Sequence, residues 1–386
     1  MCYGSSVLDR IGQVVLAARN QAGRTRDEIA LDAGIQPQAL ESLEQGKPGL
    51  TTTQLVAVAR ALLLDPVALL SGRKEERPVP SVFLRHAPMQ DFDAQDYSVL
   101  DEALEESRRL NRLRELLGRK PLLLQANVFQ TREAAADSPD APAWDGYKLA
   151  RDVRRSLGQT KEPLSDIREL IEGRLGATVV VRQLVSTKVT AATVRADVAA
   201  AIVLSDTDSQ RTSNPLLARV IVAHELCHAL FDPLAGGLQI VLDENNERKT
   251  NAAERRARAF AAELLLPLDG LVSLLGPSLS ISDADTASQL VARARSHFGT
   301  PHEIAVNHLC NHGFIHISIR ERLEHDKTPF TGMVPTTSLP RASEPSIAVR
   351  EHVEVAHRDG HITDGEARAI LSLDRLAPLP WDPPAL

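Results

Sequence analysis

Val222-Ala223-His224-Glu225-Leu226-Cys227-His228-Ala229-Leu230 sets an H-E-x-x-H motif inside an apolar run. On a helix, residues four apart stand one turn above each other, so His224 and His228 can reach one metal ion. Two neutral imidazoles suit Zn²⁺ and leave room for a third ligand and a water. Glu225, one position on, can take a proton from that water and later return it to a leaving amine. The same spacing also fits an ordinary solvated helix face. The flanks decide against that: Val220, Ile221, Val222, Ala223, Leu226, Ala229, Leu230 and Phe231 make the helix apolar nearly all round, hence buried. Two His and a Glu buried without partners are costly, and a metal is the economical partner.

The third ligand lies outside this helix. A Gly and a third His within the next six residues is the metzincin arrangement, but those positions hold Phe231 and Leu234. Glu254 is the better candidate, in a segment that reads as a helix from Asn251, as N-cap, to the stop at Pro267. Ala257 and Ala261 share its face and would allow close approach to the metal helix. Glu263, half a rotation from Glu254, reads as a solvated face. Asp232, Asp243, Glu244 and Glu247 stay open as alternative ligands.

With these residues in place, Arg219-Val220-Ile221-Val222-Ala223-His224-Glu225-Leu226-Cys227-His228 resembles the R-F-T-L-A-H-E-L-G-H signature of the ImmA/IrrE zinc metallopeptidases. The segment opening at Glu254 is similar to that family's E-x-x-A-N-x-F-A-A-x-L-L-M-P helix, whose first Glu is the third zinc ligand. Trp144 to Ala150 with Val153 to Gly158 resembles its entry helix. Pro163 to Ile167 and Leu175 to Val181 resemble its second helix and first strand. The resemblance runs from about residue 144 to about 318. It implies cleavage of helix-turn-helix repressors, or control of genes and mobile elements through such cleavage. Two positions depart from the pattern. Arg258 replaces the family's Asn and could change the groups that orient Glu254. Cys227 replaces the Gly, and reads as a small core residue pointing away from the site.

Near the N-terminus, Val7 to Ala18 carries apolar residues at helical spacing, and Thr25 with Glu28 forms a capping-box pair opening a second helix. Gly34 marks a turn, Pro37 to Gln45 gives a third helix, and Thr53 to Leu62 and Pro66 to Leu70 supply two more. The order resembles the XRE-type helix-turn-helix domain, in which the start of the third helix faces the major groove. That likeness nominates Gln36, Gln38 and Glu41, with Arg26 at the mouth of the second helix, as DNA contacts. The local charge offers few phosphate contacts. From Arg24 to Leu50, Arg24, Arg26 and Lys47 stand against Asp27, Glu28, Asp32, Glu41 and Glu44. A protein-contacting module is the alternative.

Elsewhere, Arg73 to Pro80 and Thr131 to Pro142 read as joints. Leu100 to Leu117 reads as an amphipathic helix for a homodimer seam or for packing within the chain, with packing the stronger reading. Thr178 to Arg182 and Ala200 to Leu204 read as short strands of a small sheet beside the active helix. Thr300-Pro301-His302-Glu303 reads as a helix start with Thr300 as N-cap. His297, His302, His308 and His312 read as surface or capping residues. One last helix is expected over Ile347 to Leu373.

The 386 residues give length for two or three domains, and a net charge of -7 implies no broad nucleic-acid or membrane surface. Three scattered cysteines make no disulfide framework, and no apolar stretch approaches membrane-spanning length. The fold class expected is mainly α with a small β-sheet. The divisions are a helix-turn-helix domain at 1–72, a linker with an amphipathic helix at 73–143, a zincin-like metallopeptidase at 144–320 and an extension at 321–386. The expected protein is a cytoplasmic zinc endopeptidase with His224, His228 and Glu254 on the metal and Glu225 as base. Its expected partner is a helix-turn-helix repressor, with DNA possible through the first domain and no membrane. The competing expectation is a DNA-binding regulator whose peptidase-like domain senses without cleaving.

Overall fold

A computed structural model describes residues 5–21, 25–62, 69, 94–120, 141–187, 189–196, 199–206, 212–232, 238–244, 252–325, 330–332 and 339–382. It is mainly α-helical with a small β-sheet. The expected helix at Pro66 to Leu70, the joints and the N-cap Asn251 lie largely or wholly outside the described residues.

The N-terminal unit comprises α1 (Ser5–Gln21), α2 (Arg26–Asp32), α3 (Pro37–Glu44) and α4 (Thr52–Ala61). Thr25 opens α2 as expected: its hydroxyl accepts from the Glu28 amide, and the Glu28 carboxylate accepts from the Thr25 amide at 2.7 Å. Gly34, at φ +62°, supplies the left-handed turn into α3 that other residues adopt only with strain. Ile11, Val15, Ile29, Leu40, Leu43 and Val58 form the small core of this unit.

Next come α5 (Ala94–Leu116), α6 (Ala141–Ser156) and α7 (Ile167–Leu170), which runs on as a π turn to Leu175. The sheet has β1 (Ala177–Arg182), β2 (Val189–Ala196), β3 (Ala199–Ser205) and β4 (Leu238–Glu244), in the order β1-β3-β2-β4. β1 and β3 are parallel, while β2 runs antiparallel to both β3 and β4. Between β3 and β4 comes α8 (Pro215–Phe231), the H-E-x-x-H helix. Asn214 caps its N-terminus by accepting from Leu216 and Leu217, and Pro215 fits the first turn, where no amide is needed.

The period-2 alternation of the strands explains their nearly unbroken apolar sequence. Val179, Val181, Ala191, Ala200, Ile202 and Leu204 face the large core with α8, whereas Val180, Ala192, Val194, Ala201 and Val203 face Leu100, Ala103 and Leu104 of α5. Both faces are covered, so both sets are apolar. On the α8 side, β2 interrupts this with Thr193 and Arg195, both buried.

The helices α9 (Ala252–Leu265), α10 (Leu268–Leu275), α11 (Ala284–Phe298), α12 (His302–Asn311) and α13 (Arg320–His325) follow. α9 packs between α8 and α6, where a Cβ on Gly146 would come within 2.2 Å of the Arg256 carbonyl oxygen. α12 begins one residue after Pro301 without a side-chain cap, so Thr300 is a buried residue and not the expected N-cap. The final helix is two: α14 (Ile347–Arg358) and α15 (Asp364–Ile370). Gly360, at φ +75°, ends the first, and a capping box between Thr363 and Glu366 starts the second. Leu110 and Leu113 of α5 pack with Val349, Val353, Ala356 and Leu371 of this pair. The apolar stripe of α5 is thus used within the chain, which removes the basis for a homodimer seam along it.

Candidate metal centre

α8 carries His224, Glu225 and His228 into the interior at 7, 0 and 1 % exposure. The helix is anchored by Arg219, whose guanidinium donates to the Leu164 and Ser165 carbonyls at 2.8 and 3.2 Å, and burial lowers its pKa to about 10. α9 brings up Glu254. Ala257 and Ala261 lie on that face, both buried, and give the close approach their size allows.

Three donors converge. His224 Nε2 lies 3.1 Å from Glu254 Oε2, His228 Nε2 lies 3.3 Å from Glu254 Oε1, and the two imidazole Nε2 atoms are 3.1 Å apart. Two ring nitrogens facing each other beside a carboxylate need a shared positive centre. The set of two imidazoles and one carboxylate is the one zinc takes in peptidase-type sites, so these residues fit that ion. Without a cation a proton must do the same work. Burial opposes charge on His228, yet its hydrogen bonds to Asp232 and Glu254 outweigh burial and raise its pKa to about 10. Burial likewise opposes charge on Glu254, but the two histidines hold its carboxyl far below the usual range.

Asp232 is not part of the donor set. Its Oδ2 accepts from His228 Nδ1 at 2.9 Å, which fixes the ring so that Nε2 faces Glu254. Arg256 pairs with Asp232 from α9, and Arg195 of β2 donates to the Ala229 and Asp232 carbonyls at 3.0 and 3.2 Å. The residue that acts from α9 on the surroundings of the donors is therefore Arg256, while Arg258 is exposed. Asp243 and Glu244 lie on β4, whose side chains are outside the described set, as is Glu247. Cys227 is fully buried, as expected, and burial pushes its thiol above the ordinary range.

Glu225 points into the sheet side of the site. Thr193 Oγ lies 2.6 Å from Glu225 Oε2 and 3.0 Å from its carbonyl oxygen, so the hydroxyl proton is held between them. Sequence reasoning did not find Thr193, Arg195 or Arg256. The alternation Ala191, Thr193, Arg195 was the available signal for the first two, since it sets two polar side chains on one buried strand face.

Residues 174–309 match the peptidase M78 family, described as the IrrE N-terminal-like domain. That is a zincin-like peptidase domain, of a family generally dependent on zinc, and the match takes in β1 to β4, α8 and α9. It starts after α6, so it is narrower than the resemblance from residue 144. No curated protein matches the chain. Among the described residues, no helix is long and apolar enough to cross a membrane.

The candidate DNA contacts form a separate surface. Gln36 and Gln38 are exposed at the start of α3. Arg26 Nε lies 2.7 Å from Glu44 Oε2, with its guanidinium also 3.5 Å from Glu41. A hollow of about 500 Å³ here is lined by Arg19, Arg26, Asp27, Gln38 and Glu41 among others, so its charges balance. The two arginines of this hollow, Arg19 and Arg26, are already paired with acids.

Proposed function

We propose that this protein is a zinc-dependent endopeptidase, with His224, His228 and Glu254 as the metal ligands and Glu225 as general base. The observation that carries the reading is the convergence of those three donors beside a buried glutamate that is not one of them. Bound there, a zinc ion would supply Lewis acidity, polarising a peptide carbonyl and easing deprotonation of a water. The chain's own residues do the proton work. Glu225 accepts a proton on its carboxylate and returns it to the leaving amine nitrogen. Thr193 holds the Glu225 carboxylate in place, and Asp232, backed by Arg256, holds the His228 ring.

The substrate is a regulatory protein in a stress, mobile-element or defence response, and a helix-turn-helix repressor is the expected class. The N-terminal unit, in which Arg19 and Arg26 are engaged by acids, suits recognition of such a protein better than recognition of DNA. The setting is the cytoplasm.

The test uses purified full-length protein. Wild type is expected to hold zinc at the site, and Glu254→Ala to lose it or bind it much more weakly. Wild type should cut a helix-turn-helix repressor at discrete bonds, read as new N-termini by mass spectrometry. Glu225→Gln should keep the zinc and lose cleavage. Cleavage unimpaired in Glu225→Gln would sink the assignment of the base, and function preserved without any cleavage would favour a sensor.

A further inference from the structure

A second cluster of donors lies on the opposite face of α9. Glu263, expected to be a solvated residue, is fully buried, and nine residues from Glu254 put it half a rotation away and about 13 Å along the axis. α12 and its C-cap residue direct His308 and His312, four residues apart, toward it. His308 Nε2 and His312 Nε2 lie 3.3 and 3.2 Å from the same oxygen, Glu263 Oε2. The donor types and spacing repeat those of the first site: two histidines four residues apart, here on a helix and its C-cap, and a glutamate from α9.

We propose that Glu263, His308 and His312 form a second divalent-cation site, separate from the catalytic one, that takes zinc or a similar transition metal and ties α12 to α9. Three observations point to a ligand there. First, the carboxylate's other oxygen is already engaged: Oε1 accepts from Arg151 Nε at 2.8 Å and from the Leu268 amide at 3.0 Å. Oε2 has only the longer 3.4 Å contact from Arg151 Nη2 and otherwise faces the two rings. A carboxylate held on one oxygen presents the other in a fixed direction, as an oriented ligand does. Second, the His312 side chain is 4 % exposed, and its Nε2 is buried without a hydrogen-bond partner although Oε2 is so near. The two atoms aim past each other. Third, the cluster is walled by rings. Tyr147 stands 5.2 Å from the His308 ring and 5.0 Å from the His312 ring, and Trp144 stands 6.3 Å from His312.

Two imidazoles select a borderline cation over Mg²⁺ or Ca²⁺, which prefer oxygen. His308 Nε2 also lies 2.9 Å from the Leu266 carbonyl oxygen. In the metal-free protein the ring proton sits toward that carbonyl, and a cation on Nε2 requires that proton to move to Nδ1. The Arg151 charge stands on the Oε1 side and is partly exposed, so solvent screens it from the cation. All three donor side chains are buried, which suits a structural role.

The experiment counts zinc in the full chain by native mass spectrometry after loading with Zn²⁺ and removal of excess. Wild type is expected to hold two ions. The double variant His224→Ala/Glu254→Ala, which leaves this cluster intact, should hold one, and adding His312→Ala should leave none. One ion in wild type and none in the double variant overturns the proposal and leaves the catalytic site standing. One ion in both supports the second site and sinks the first. An ion that survives His312→Ala also overturns it. If the triple variant does not fold, hydrogen exchange in the double variant decides: chelation should speed amides in 302–312, and unchanged exchange there overturns the site.

Discussion

At the residue scale, Thr193 is the contact that separates this site from a bare H-E-x-x-H helix. Its hydroxyl reaches across from β2 to the carboxylate proposed to move the proton, at 2.6 Å in a buried setting. A hydrogen bond to a charged group contributes roughly 1.5–3 kcal/mol, and 1.4 kcal/mol is tenfold in rate. Thr193→Val, which keeps shape and removes the donor, is expected to lower kcat about tenfold or more with KM and zinc content little changed. Thr193→Ser should retain most of the activity. Steady-state kinetics on a cleaved repressor, with metal analysis alongside, checks both. Equal kcat in the Val variant would make Thr193 a packing residue. The alternation of Thr193 with Arg195 is a faint signal, because Val189-Thr190-Ala191-Ala192-Thr193-Val194 has too weak an apolar contrast to announce a strand. The metal helix, by contrast, could be read directly, since its three polar residues stand alone in an apolar run.

At the scale of elements, the sequence separates the helices well and their surroundings poorly. Glu254 and Glu263 show why. Periodicity puts them on opposite faces of α9, and an amphipathic helix should have one face in water. α9, however, packs between α8 and α6, so both faces are interior and both carboxylates need partners. Thr363-x-x-Glu366 and Gly360 did mark the break that divides the last helix, but apolar spacing across Ile347 to Leu373 concealed it. The N-terminal unit has a similar buried acid, Glu44, held between Arg19 and Arg26. Burial disfavours its charge, but hydrogen bonds from Arg19 and then Arg26 outweigh that and lower its pKa from the ordinary 4.5. A depressed carboxylate adds stability that is complete above its unfolded value and lost as pH falls through the folded value. Protection of amides in 26–44, corrected for intrinsic exchange rates, should therefore hold from pH 7 to about 5 and decline below about 4.5. Glu44→Gln should lower that protection by about 2 kcal/mol at pH 7 and flatten the acid decline. The same slope in variant and wild type would rule out Glu44 as its source.

At the scale of the whole molecule, the stretch after residue 339 is built into the peptidase region. Ser343 donates to the Val181 carbonyl at 3.3 Å, on the edge strand β1. Arg182 Nη1 donates to the Glu344 carbonyl at 2.8 Å, and its Nη2 pairs with Glu106 of α5 at 2.6 Å. Glu106 also accepts from the Ser346 amide, and Glu172 accepts from the Ala348 amide at 3.2 Å. Burial, the largest influence on both acids, holds their carboxyls above the ordinary range in spite of these donors. Removing residues 341–386 would withdraw backbone donors from two buried acids, strip the cover from Leu110 and Leu113, and bare part of the β1 edge. Buried acids that lose a donor and an open edge are each destabilising, and the second invites association. The truncated chain is expected to melt roughly 10 °C lower than the full one, from about 3 kcal/mol lost, and to self-associate. Thermal unfolding by circular dichroism, with light scattering on the same samples, reads both. An unchanged melting point in a monomeric truncation would mean that the C-terminal pair of helices only rests on a core complete without it. The expected drop would mean that the fold of the peptidase-like region extends some sixty residues past the last one the family match covers.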